Sequence, residues 1–107
     1  MVDASGARRA DVVVADGVVG GVGRDLDAPR TLDATGCVVA PGLVDLHAHL
    51  REPGREEAET VETGARAAAV GGYTAVVAMP NTEPAIDSAG VVREVLELGA
   101  GTMCDVR

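Results

Sequence analysis

Apolar and polar positions follow two different periods along this chain, and the change between them divides it. Over the first forty residues the apolar positions come in short runs broken by glycine and acidic residues. Val12-Val13-Val14-Ala15 and Val18-Val19 flank Asp16-Gly17, a dipeptide suited to a two-residue hairpin turn, so an antiparallel pair of strands is expected there. Gly20, Gly21 and Gly23 read as breaking that pattern, while Leu32 and Cys37 to Ala40 read as further short strands. Pro41-Gly42 punctuates the chain before the pattern changes.

From Leu43 onward the pattern is strand, helix, strand, helix. Leu43-Val44-Asp45-Leu46 is a short apolar run. Residues 57–70 carry helical spacing, with Ala58, Val61, Ala65 and Ala68 on one face and Glu59, Glu62 and Arg66 away from it. Gly71-Gly72 should stop that helix. Thr74 to Met79 is continuously apolar after its first residue, as in a parallel strand covered on both faces. Ser88 is placed to cap a second helix with Val91, Val92, Val95 and Leu96 inward, and Gly99 to end it; Met103 to Val106 reads as a third strand. The expected class is α/β, with a β-rich segment over residues 1–41 and βα units over residues 42–107 that imply a parallel sheet or barrel.

Composition narrows this picture. Hydrophobic residues make up 47% of the 107, nearly all Ala, Val and Leu, and Tyr73 is the sole aromatic. Such side chains bury little area each, so low autonomous stability is expected. The net charge of −8 supplies no basic stripe for nucleic acid or an anionic membrane. No stretch approaches the roughly 20 apolar residues of a bilayer span, and Met1 to Arg9 lacks the apolar run of a secretory signal. Cys37 and Cys104 lack CxxC spacing and read as reduced thiols of a cytoplasmic protein.

The chemistry-bearing residues cluster just after the apolar run at Leu43. His47 and His49, the only histidines, lie two apart, so an extended backbone turns both imidazoles to one face. They are either a half-site for a borderline metal such as zinc or an ordinary surface pair. Their place at the start of a βα-loop favours the first reading. Asp45 shares that face and either orients a ligand or bonds to local backbone. Arg51 is either a solvated loop charge or a guanidinium placed to grip a carboxylate bidentately. Asn81, ending the second apolar strand, is either an amide donor to the same anion or a turn residue after Pro80.

Together the segments Pro41-Gly42-Leu43-Val44-Asp45-Leu46-His47-Ala48-His49-Leu50-Arg51-Glu52-Pro53-Gly54, Gly71-Gly72-Tyr73-Thr74 and Ala78-Met79-Pro80-Asn81-Thr82-Glu83-Pro84 closely resemble the dihydroorotases of the amidohydrolase superfamily, in the same order. Related allantoinases, hydantoinases and dihydropyrimidinases share the HxH but usually lack both the Arg two residues on and the Met-Pro-Asn-Thr run. The resemblance implies reversible conversion of dihydroorotate and N-carbamoyl-L-aspartate in de novo pyrimidine biosynthesis, with zinc as cofactor, two ions per complete site. Carried over by position, His47 and His49 would ligate zinc, and Arg51 and Asn81 would bind the carboxylate of a small anionic substrate.

The resemblance further implies that residues 1–41 belong to a small N-terminal β domain and residues 42–107 to the first βα units of a (β/α)8 barrel. A whole barrel needs about 250 residues, and no histidine follows His49. The chain is therefore expected to be a fragment, inactive alone, that holds no catalytic acid or base, binds zinc weakly and leaves Thr74 to Met79 as an unpaired apolar edge. Self-association, or association with aspartate transcarbamoylase, is open to the full-length protein. Two other readings compete: an allantoinase or hydantoinase, which Arg51 disfavours, and a non-catalytic dihydroorotase-like scaffold, which intact His47, Arg51 and Asn81 disfavour.

Overall fold

The computed structural model describes residues 1–107, which form two units, Met1–Pro41 and Gly42–Arg107. The first begins with a hairpin that the hydrophobic pattern does not foreshadow, β1 (Val2–Asp3) paired antiparallel with β2 (Gly6–Ala7). Its strands are too short to carry a period, and a side chain closes it instead. The Asp3 carboxylate accepts from Ser5 N (2.9 Å), Ser5 Oγ (2.6 Å) and the Arg8 guanidinium (2.8 and 3.0 Å). Arg8, and after it Ser5, hold the Asp3 carboxyl well below the usual carboxylate range.

The expected hairpin follows as β3 (Asp11–Ala15) and β4 (Val18–Gly23). Asp16 and Gly17 both take positive φ, 51° and 74°, as a type I′ turn demands. The glycines after Val19 do not end β4. Register passes from Val14↔Val19 to Val13↔Gly21, so Gly20 is the extra residue of a bulge and pairing continues to Asp11↔Gly23. Leu32 and Cys37 to Ala40 are not strands. Leu32 and Val38 are 89% and 77% exposed, and the bond from Val2 N to Val39 O (2.7 Å) founds no ladder.

In the second unit β5 (Leu43–Ala48), β6 (Tyr73–Ala78) and β7 (Asp105–Val106) form a parallel sheet in that order, joined through α1 (Val61–Val70) and α2 (Ala89–Gly99). α1 starts at Val61 because Thr60 caps it. Thr60 accepts from Thr63 N, and Thr63 Oγ1 accepts from Thr60 N. Ala58 thus falls before the helix and is exposed. The helix stops at Gly71, and Gly72 takes φ 88°. Ser88 caps α2 as expected.

The helices touch each other while α1 lies on β6 and α2 on β7, so both cover one face of the sheet. Leu50, Val61, Ala65, Val76, Val95, Cys104 and Val106 form the core between them. Burial raises the Cys104 thiol above its ordinary pKa. Gly99 is the last residue of α2, as expected, and a Cβ there would meet Val106 Cβ at 2.7 Å, so its smallness lets α2 approach β7. With one face covered, β6 buries only Val76 fully, and Val92 and Leu96 of α2 are 42% and 41% exposed rather than inward. Thr74 to Met79 is not an unpaired edge, because β6 is the central strand. The edges are β5 and β7, and on β5 Leu46 is 73% exposed.

Candidate metal centre

β5 and β6 run parallel, so their carboxyl ends lie together, the place where open parallel sheets bind ligands. His47, His49 and Asn81 all come from these ends. Register runs Asp45↔Val76 and then Ala48↔Ala78, three steps on β5 against two on β6. This irregularity interrupts the simple period of two at Leu46 and His47 and re-aims side chains locally. The imidazoles nonetheless come together, with ring centres 5.0 Å apart and planes at 65°.

That spacing suits two imidazoles on one metal. With zinc–nitrogen bonds near 2.0–2.1 Å and tetrahedral angles, ring centres fall about 5 Å apart. Two imidazoles alone make at most half of a metal site, and no group of three or more His, Cys, Asp or Glu side chains is placed to hold a metal. Asp45, His47, His49, Glu59, Tyr73 and Val76 line an open hollow of about 270 Å³. Asp45 Oδ1 accepts from the backbone N of His47 (2.9 Å), the local-backbone alternative of the two expected for it. A larger hollow of about 400 Å³ between Glu62, Leu98 and Met103 holds no histidine, and its guanidinium, Arg66, is paired with Glu62.

His49 is anchored through its second nitrogen. Its Nδ1 lies 3.0 Å from the side-chain oxygen of Asn81, so the two loops meet at a candidate metal ligand. Backbone bonds from Met79 N to Ala48 O (2.8 Å) and from Glu83 N to Pro53 O (3.1 Å) tie the loops on either side of this contact. At the second bond Gly54 sits at φ 101°, where a Cβ would lie 2.0 Å from the Glu83 carbonyl oxygen. Arg51 occupies the same loop, half-buried and with no ion pair, but does not line the hollow.

Two acidic residues contribute that sequence reasoning did not single out. Glu52 Oε2 accepts from Val61 N (2.6 Å), pinning the loop after β5 to the first turn of α1. Glu59 lines the hollow because α1 begins after it, instead of facing water from a longer helix. The Thr60-Glu62-Thr63 stretch, read as a cap, would have revealed this. Gly54 N donates to Glu56 Oε1 (2.7 Å), which holds the Glu56 carboxyl below its ordinary pKa.

Comparison with known proteins fits this local picture. A family model described as dihydro-orotase-like matches residues 36–98. A dihydroorotase of Mycobacterium tuberculosis is 57% identical over 94 residues, covering 85% of this chain and 22% of its own length. One of Streptomyces coelicolor is 54% identical over 105 residues, 95% of this chain and 24% of its own, and one of Solibacter usitatus 53% over 92, or 84% and 21%. The chain thus spans between about a fifth and a quarter of the length of these relatives. A family match over more than half the residues, joined to identities of this level, shows that the chain belongs to the dihydroorotase-like family.

Proposed function

We propose that this chain carries the first half-site of a zinc-dependent cyclic amidohydrolase, a dihydroorotase that interconverts dihydroorotate and N-carbamoyl-L-aspartate in pyrimidine biosynthesis. The observation that carries the reading is the His47–His49 pair, ring centres 5.0 Å apart at the carboxyl end of a parallel strand, with Asn81 against His49. His47 and His49 would hold the metal, which supplies a more acidic water and a polarised amide carbonyl. Arg51, with no acidic partner, is available for two parallel bonds to a ring carboxylate, and the Asn81 amide for a third. No third ligand and no general base is assigned within residues 1–107; the reading places them outside this span.

The β5–α1–β6–α2–β7 order supports placing residues 42–107 as the opening units of a (β/α)8 barrel, with residues 1–41 as part of a small β domain. No helix is long and apolar enough to cross a membrane. The free thiols Cys37 and Cys104 support a cytoplasmic location. The test is Arg51→Lys in a dihydroorotase that contains this chain, assayed with dihydroorotate and with hydantoin, which lacks the carboxylate. A large rise in KM confined to dihydroorotate is expected, since a point charge replaces a bidentate fork. Equal effects on both substrates contradict the assignment.

A further inference from the structure

We propose that Asn81 is a positioning residue for His49, its side-chain carbonyl holding the imidazole as the Nδ1–H tautomer so that Nε2 keeps the lone pair a metal needs. The inference rests on the reading of His49 as a zinc ligand, and extends it to a residue whose assigned task was the substrate carboxylate. A neutral imidazole has one donor and one acceptor nitrogen, whereas an amide oxygen only accepts. With Asn81 Oδ1 turned toward the ring at 3.0 Å, the contact assigns Nδ1 of a neutral His49 as the donor and leaves Nε2 bare. The opposite amide orientation would direct an N–H at Nδ1, put the proton on Nε2 and close the metal-facing nitrogen.

Three backbone bonds fix where the amide stands. Met79 N to Ala48 O (2.8 Å) precedes Asn81; Glu83 N to Pro53 O (3.1 Å) and Ile86 N to Pro80 O (3.2 Å) hold its loop. The backbone that carries the amide is therefore held beside His49 by the same contacts that join the two loops. Its NH2 group remains available to an anion. One amide then serves both the metal ligand through its oxygen and the ring carboxylate through its nitrogen, so the two subsites are covalently linked across about the length of a formamide group. Substitutions that spare the oxygen separate the two tasks. Asn81→Asp keeps an acceptor toward His49 and removes the donor; Asn81→Ala removes both.

The test uses the metal-free 107-residue chain labelled with 15N-histidine, in which His47 and His49 are the only imidazoles. Long-range proton–nitrogen correlation spectra at a pH where histidine is neutral report which nitrogen carries each proton, and His47→Ala assigns the signals. His49 is expected as Nδ1–H in the parent and in Asn81→Asp, and as Nε2–H in Asn81→Ala. Zinc Kd, from competition with a chelator, should rise about 10- to 100-fold in Asn81→Ala and by much less in Asn81→Asp. An Nε2–H or averaging His49 in the parent overturns the proposal, as does an unchanged tautomer and Kd in Asn81→Ala. His49→Ala separates the two readings: if zinc Kd ignores it while Asn81→Ala still flips the tautomer, the metal reading fails and the positioning bond stands.

Discussion

Replacing Gly54 by alanine should force apart the two loops that carry the candidate site. Gly54 holds φ 101°, and its missing Cβ would sit 2.0 Å from Glu83 O, 1.0 Å closer than the 3.0 Å below which real contacts are essentially never found. The obstacle is backbone, so no side-chain rotation relieves it. A non-glycine residue at such a φ costs about 1–3 kcal/mol, and losing the bond from Glu83 N to Pro53 O adds about 1 kcal/mol. A total of about 2–4 kcal/mol is a large fraction of the roughly 5 kcal/mol available to a small core of this kind. For a unit of this size it corresponds to a fall in Tm of about 10–30 °C. The assay is thermal denaturation followed by circular dichroism, with Gly90→Ala as control. Gly90 lies in the first turn of α2 with nothing nearer to its would-be Cβ than Ser88 Oγ at 3.8 Å, and alanine there should raise Tm slightly. A Gly54→Ala chain that melts within about 2 °C of the parent, on the scale of the shift per kcal/mol, refutes the clamp.

Other substitutions probe separate parts of the fold. Val61→Ala empties a fully buried site at the start of α1 and should cost about 1–3 kcal/mol, read as a lower urea midpoint at constant m. Leu46→Lys charges the open edge at β5 and should reduce self-association in sedimentation velocity without changing the circular dichroism. Asp3 is held ionised in the folded hairpin, so its contribution is complete above the ordinary carboxylate pKa and vanishes as pH falls through the depressed one. Carboxyl carbon shifts should show Asp3 still ionised near pH 3, while Arg8→Ala returns its titration toward about pH 4.

What the sequence disclosed was mostly local chemistry. Asp16-Gly17 is a turn because its residues tolerate positive φ, and Ser88 caps α2 because its hydroxyl accepts from Val91 N (3.4 Å); neither needs a distant partner. The alternation of β and α units was legible for the same reason, and so was the placement of His47, His49 and Asn81 at strand ends. Strands at Leu32 and Cys37 to Ala40 were misread because a strand exists only with a neighbour, which is a nonlocal fact. Val92 and Leu96 were misread because helical spacing tells which face is apolar, not whether anything covers it. The early start assigned to α1 hid Glu59, and no local pattern announces the irregularity at His47 or the meeting of Asn81 with His49.

The central claim is that His47 and His49 hold metal together, and X-ray absorption at the zinc edge of the zinc-loaded chain tests it most directly. The account predicts two imidazole nitrogens at about 2.0–2.1 Å with the multiple scattering of intact rings, lost when both histidines are replaced by alanine. Zinc bound through sulfur or carboxylate alone, with no imidazole signature, would contradict it.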